Sequence, residues 1–477
     1  MKCEWSGQMS DPNDILRHLG EEALRDKIDG AVRWNGEAPS IANGEPDKKP
    51  APQLSADVKL EDFYAYMPDH TYIFAPTREF WAAASINARI PWIEIGEKPV
   101  KPTDWLDRNR PVETMTWYPG FPMVIPDKLM LEGGFVDHKG VNCFNLYRPP
   151  ERRPGRAAAA VRWLDHLRKI YPDDWQHIVN YFAHCVQNPH EKINHALVLG
   201  GTPGIGKDMM IAPLRDAVGP WNFMNVSPKM IMGRFTGHLR SVVLRISEAH
   251  DLGDSGVDRF ALYEHLKTIT AAPPETHRID EKNRREYDVF NVNATIITTN
   301  HLTDGVYLPE DDRRHYVAWS DAQKEDFTDG YWTSLKGWFD GGGIWHVAAY
   351  LAQLNISGFN PKAPPPKTAA FWQIVAANAD SQDAELLDAI ERMGNPDAFI
   401  LPRLIASSPD GLREWLRDRN NRRRIGHRLD ACGYVSVRND VNKGLWVVTG
   451  SRQVIYAKKQ LPDRERKLVA QALAEGR

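Results

Sequence analysis

Lys207 closes a glycine-rich stretch whose residue types and spacing are those that hold phosphate. Gly201-Thr202-Pro203-Gly204-Ile205-Gly206-Lys207 fits G-x-x-x-x-G-K, in which backbone N–H groups cradle phosphates and the lysine meets the β- and γ-phosphates. The apolar run from Ala196 to Leu199 predicts a buried strand before this loop, and a helix is expected to begin at Lys207, which is read as solvent-facing in the empty loop. The next position, usually Ser or Thr for Mg²⁺, is Asp208. A carboxylate can also ligate a hard cation, but it adds negative charge beside the phosphates. Asp208 is therefore read either as a magnesium ligand or as a mark of altered affinity.

A glycine loop alone does not separate a small-molecule kinase from a motor ATPase, because both place phosphates on it. Ser241 to Ser247 predicts a second buried strand with Glu248 at its end, where ligands sit in open α/β sheets. Glu248 follows Ser247 instead of a second acid, which leaves open whether it holds the metal's water or polarises the attacking water. Ala294 to Thr298 predicts a third strand leading to Asn300, readable as a water-orienting or γ-phosphate-sensing amide, or as a turn cap. Arg313 and Arg314 follow Asp311-Asp312. One of them is a candidate arginine finger acting across a subunit boundary; the plain alternative is a solvated ion-pair cluster.

Lysine, glutamate, asparagine and arginine in this order resemble the superfamily-3 helicases, specifically the phage and prophage primase-helicases of the poxvirus-type branch. The resemblance rests on Leu197 to Asp208, Ser247-Glu248-Ala249-His250-Asp251-Leu252-Gly253, Thr298-Thr299-Asn300-His301 and Asp311 to Trp319. It implies an α/β fold with an AAA+-like P-loop ATPase core, using ATP and Mg²⁺. It further implies a homo-oligomeric ring, a hexamer, moving on single-stranded DNA during replication, with a separate primase or polymerase as a possible partner. Asp after the loop lysine is usual in that group. The segment between Glu248 and Asn300 matches the family's channel hairpin: strand, polar turn with Lys282, Asn283, Arg284 and Arg285, strand. Lys282 falls where the family's DNA-gripping lysine would be.

The elements that must position these groups divide the chain. Residues 1–35 resemble the close of a Toprim primase domain without its catalytic acids, so no primer synthesis is expected from this chain. Residues 36–57 read as a linker, and 58–150 as an aromatic-rich α+β region whose rings are assigned to core packing before base stacking. Residues 151–193 read as a helical collar, 194–358 as the ATPase domain and 359–368 as a proline-rich linker. Residues 369–477 read as a winged-helix-like DNA-binding domain. Its expected parts are helices at 411–416 and 422–432 and a hairpin joining Tyr434–Arg438 to Leu445–Val448. Arg422, Arg423 and Arg424 are its candidate phosphate contacts.

The 477 residues are 42% hydrophobic, enough for a sizeable core. Their formal charge of −3 means that DNA contact must come from local basic patches. The four cysteines form no C-x-x-C pair, so neither a zinc site nor a disulfide framework is expected. No apolar run is long enough to cross a bilayer, and the expected location is the bacterial host cytoplasm. Two other readings stand beside the helicase: a non-motor ATP-binding initiator or loader on origin DNA, and a small-molecule kinase.

Overall fold

A computed structural model describes residues 58–96, 98–247, 259–302, 305–439 and 444–476. The expectations for 1–35 and 36–57, and the one for Glu248, fall outside the described residues.

Five parallel strands form the centre: β1 (Ala196–Gly201), β2 (Phe223–Val226), β3 (Val243–Ile246), β4 (Ala294–Thr299) and β5 (His315–Ser320). Their order across the sheet is β2-β3-β4-β1-β5. Parallel sheets are covered on both faces, so their strands read as continuous apolar runs, and Ala196, Leu197, Val198 and Leu199 are accordingly all fully buried. The expected strand at 241–247 is shorter, Val243–Ile246.

The helices Val161–Ile170 and Trp175–Gln187, read as a collar, are part of the layer covering this sheet. Trp163 donates its indole N–H to the Met210 carbonyl, Tyr171 its hydroxyl to Gly200, and Tyr181 its hydroxyl to Thr295 on β4. Each aromatic thus satisfies its own buried polar tip on a backbone oxygen of the core. The proline-rich 359–368 stretch is also fastened: Asn194 N–H donates to the Pro361 carbonyl, and Thr368 Oγ1 to Val317 on β5.

The 58–150 region consists mainly of two small sheets with buried rings inside. One joins Glu79–Trp81, Thr71–Phe74, Phe63–Tyr66 and Pro111–Val112; the other joins Thr114–Thr116, Gly134–Asn145 and Val124–Leu131. Phe63, Tyr72, Trp117 and Phe144 are at most 2% exposed, which assigns these four aromatics to packing.

After the long helix Ala369–Arg392 come a strand (Ala398–Ile400), three helices (Leu401–Ser407, Asp410–Arg417, Arg422–Ala431) and the strand Tyr434–Val437. The expected pairing of Tyr434–Arg438 with Leu445–Val448 is not formed. Tyr434–Val437 pairs with Ile455–Lys458, which also pairs with Ala398–Ile400, while Trp446–Val448 pairs with Ser451–Gln453 in a separate hairpin. The later strand buries Ile455, Tyr456 and Ala457 in succession, on both its faces, whereas of Trp446–Val448 only Val448 is buried. Among the described residues no helix is long and apolar enough to cross a membrane.

Candidate functional site

The loop between β1 and the helix Lys207–Val218 is built by backbone shapes that a side chain would resist. Gly206 has φ 89°, and a Cβ there would lie 2.7 Å from both the His166 ring and the Trp332 ring. The loop therefore lies against these rings.

Lys207 differs from its expected solvent-facing pose: it is 9% exposed and folded back over its own loop. Its ammonium donates to the Gly201 carbonyl at 2.5 Å, the Thr202 carbonyl at 3.1 Å and Asn300 Oδ1 at 2.8 Å. Three oxygens stand in for the anion such a lysine would meet. Burial pushes the Lys207 ammonium down to about 8; Asp208 opposes the shift and Arg245 adds to it. Asn300, at the end of β4, is thereby joined to the loop as an acceptor. The turn-capping part falls instead to its neighbour Thr299, whose Oγ1 accepts from the His301 N–H.

This lowered value fixes two signs. Between about 8 and the ordinary lysine value of 10.5 the unfolded chain holds the proton that the folded chain has released, so stability rises with pH across that window. A bound phosphate reverses the preference by favouring the charged ammonium. Nucleotide binding near pH 8 is therefore expected to take up a proton and to weaken as pH rises further. Titration calorimetry in two buffers of different ionisation enthalpy should give different heats; equal heats would show that this lysine is not the group engaged.

Sequence reasoning missed two residues here. His166, on the helix Val161–Ile170, bridges Tyr331 and the loop: Tyr331 Oη lies 2.7 Å from Nδ1, and the Gly206 carbonyl 3.2 Å from Nε2. Burial lowers its pKa, so the ring is neutral at neutral pH, with Nε2–H donating to the carbonyl and Nδ1 accepting from the phenol. Arg245, inside β3, reaches Asp208 Oδ1 at 2.5 Å and Thr298 Oγ1 at 3.3 Å. Neither has a sequence signal beyond being polar within an apolar pattern. Tyr331 also lines a cleft of about 480 Å³ with Arg162, Asp165 and Lys169 among others, and none of its lining residues belongs to the loop.

Arg313 is exposed and Arg314 half-buried, and among the described residues neither pairs with a carboxylate. The ion-pair-cluster reading loses its acids. Asp312 turns inward, accepting from Tyr263 and His315 side chains and from the Arg314 and His315 N–H groups, while Asp311 faces Arg424 at 3.9 Å. Because β1 and β5 run in register from Ala196–His315 to Gly201–Ser320, Arg314 sits at the opposite end of the sheet from the loop. Six residues at about 3.3 Å each place it roughly 20 Å from Gly201, farther than one arginine extends.

The hairpin forms as expected, Thr276–Ile279 with Tyr287–Phe290, although Lys267–Thr270 before it belongs to the helix Arg259–Thr270. Its tip is divided. Lys282, Asn283 and Arg285 are exposed, whereas Arg284 lies 4.0 Å over the Phe80 ring and pairs with Glu281 at 3.3 Å. The base is rooted in the 58–150 region: Phe290 packs on Tyr118 at 4.4 Å and Phe135 at 5.2 Å, and Thr116 Oγ1 donates to the Asp288 carbonyl. A second loop flanks the tip. Arg234 pairs with Asp280 at 2.9 Å, and Lys229, Met230, Met232 and Phe235 beside it are exposed. At the C-terminal end Arg422 and Arg423 are exposed on their helix, while Arg424 is half-buried.

Among the described residues no group of three His, Cys, Asp or Glu side chains could hold a metal, and Cys143, Cys185 and Cys432 are free and buried.

Residues 199–314 match the model of a family described as "Family of unknown function (DUF5906)". No curated protein matches the sequence. Among solved structures, the apo C-terminal region of NrS-1 is similar at 16% identity, covering 83% of this chain and 95% of that chain with a TM-score of 0.51. Its A form gives 16%, 83%, 96% and 0.50. JCV helicase is matched at 11% identity over 50% of this chain and 65% of that chain, with a TM-score of 0.30, too distant to bear on the reading. The chain thus shares its fold with the NrS-1 C-terminal region.

Proposed function

We propose that the chain is the ATP-hydrolysing subunit of a superfamily-3 replicative DNA helicase, a ring that draws single-stranded DNA through its channel. The observation that carries this reading is the bond from Lys207 to Asn300, which joins the glycine loop to the neighbouring β4 at the carboxyl ends of a parallel sheet. Ligands sit at that edge in open α/β sheets.

Residue roles follow from placement. A terminal phosphate would take the ammonium of Lys207 from its three present acceptors and free the Asn300 side chain to orient water. Glu248, two residues beyond the end of β3, is assigned to the water or the metal. Magnesium would neutralise charge on the phosphate oxygens. The exposed carboxylate of Asp208 fits an ion shared with a nucleotide, because Mg²⁺ commonly takes one or two carboxylates plus phosphates. Arg313 or Arg314 is assigned to a neighbouring subunit's site, a reading supported by the separation of Arg314 from the loop of its own chain.

For DNA, the assignment is to Lys282, Asn283 and Arg285 at the hairpin tip, with Lys229, Arg234 and Phe235 of the flanking loop beside them. Arg284 is assigned to holding the tip against Phe80 and Glu281 instead of gripping phosphate. Replacing Lys282 and Arg285 together by alanine should weaken single-strand binding about equally for all sequences. It should also lower the slope of log affinity against log salt by about 1.4, two contacts at about 0.7 each. Fluorescence anisotropy at several salt concentrations measures both; an unchanged slope would take the tip away from the DNA. The exposed Arg422 and Arg423 favour a second surface, as an initiator or loader would need. Unwinding of a preloaded fork separates the readings, since a non-motor leaves the fork annealed. A small-molecule kinase gives no use to the hairpin tip.

A further inference from the structure

Arg245 is an arginine in the interior of a parallel sheet, hydrogen-bonded on both sides by β2 and β4, where a charge is expensive unless it is paired. Its side chain is 15% exposed and its Nε is buried with no partner. The guanidinium is committed at its other end, where Nη2 meets Asp208 and Thr298 Oγ1. Asp208 is 79% exposed and directly follows the phosphate-site lysine. Two cross-links therefore tie the start of the loop helix to the sheet side by side: Lys207 to Asn300, and Asp208 to Arg245. In the usual arrangement a hydroxyl follows the lysine and an acid stands at the end of the facing strand. Here the carboxylate follows the lysine, and Ser247 follows the end of β3, two residues beyond Arg245.

We propose that Arg245 is the positioning residue that allows a carboxylate to occupy the hydroxyl's place: it neutralises Asp208 and holds one of its oxygens inward, leaving the other for the cation that accompanies a nucleotide. This rests on the nucleotide-site reading above. In this arrangement Asp208 has two neutralising partners, one built into the protein and one arriving with the phosphates. The chain accordingly tolerates metal-free nucleotide better than an acid beside phosphates otherwise would, and loss of Arg245 makes the metal indispensable.

The test is equilibrium binding of a fluorescent ATP analogue, in magnesium and in EDTA, to the full chain and to Arg245→Met, Asp208→Asn and Asp208→Ser/Arg245→Met. Coupled charge pairs of this kind commonly shift affinity by about tenfold. Arg245→Met should lose about tenfold in magnesium and considerably more in EDTA. The double variant, carrying neither charge, should recover most of that loss. Asp208→Asn changes an exposed side chain and keeps the fold; with Arg245 left uncompensated beside the phosphates, it should bind the analogue about tenfold more tightly in EDTA. If Arg245→Met melts below the assay temperature, Asp208→Asn decides the matter alone. An unchanged affinity of Asp208→Asn in EDTA, or a double variant as weak as Arg245→Met, would overturn the pairing. A wild-type chain that binds no nucleotide would overturn the nucleotide-site reading itself, and the pairing with it.

Discussion

Lys207→Ala is expected to reduce ATP turnover by at least 10²–10³-fold, the range seen when a preorganised charge facing the transferring phosphoryl group is removed. Stability should change little. The ammonium lies in a site that disfavours its charge, so the substitution discards three hydrogen bonds together with the cost of burying a cation. Asn300 would lose its lysine partner but keep access to water at a half-buried position. Steady-state turnover and thermal melting of the same preparation check both halves. A variant that turns over ATP at even a tenth of the wild-type rate would remove the glycine loop from the mechanism.

Arg313→Ala/Arg314→Ala is expected to be as inactive as Lys207→Ala when assembled alone, with an arginine finger worth about 10³–10⁵ in rate. Mixing the two inactive chains should restore turnover. The register of β1 and β5 separates Arg314 from the loop of its own subunit, so on the proposed reading each working site combines a loop from one chain with an arginine from the next. In a mixed ring some junctions join an intact loop to an intact finger. Turnover measured against mixing ratio should pass through a maximum near equal amounts. A flat line at zero, in mixtures shown to co-assemble, would place these arginines outside the hydrolytic step.

The glycine loop and its sheet were legible because both are written locally. Apolar runs such as Ala196–Leu199 and Ala294–Thr299 mark buried parallel strands, and a lysine after spaced glycines has few other uses. The ends of those runs also located Asn300. What was not legible depends on contacts between distant segments. His166 meets its loop partner 40 residues away, and nothing in its helical pattern distinguishes it from a satisfied core histidine. Arg245 interrupts an otherwise apolar strand and reveals its partner only when the helix after the loop is placed beside it. The pose of Lys207 was misread because two loop carbonyls and the Asn300 side chain offer the lysine three oxygens of its own protein, which the local sequence does not reveal. The wing was misread because two short β-like runs look like a hairpin until Ile455–Lys458 competes for the same edge.

The rooting of the hairpin in the 58–150 region bears on how the chain folds. Thr116 and Asp288, joined by a hydrogen bond, are 172 residues apart, and the ring contact of Phe135 with Phe290 spans a similar distance. Such closures are slow to form, since chain entropy is lost before the contacts that offset it appear. During synthesis the early sheet would wait, with Tyr118 and Phe135 uncovered, until the hairpin strand arrives. A chain shortened to begin near residue 151 would carry the reciprocal defect, Phe290 without its cover, and would be prone to self-association through that face. On this account the early aromatic segment would serve the later hairpin as an intramolecular chaperone serves its client.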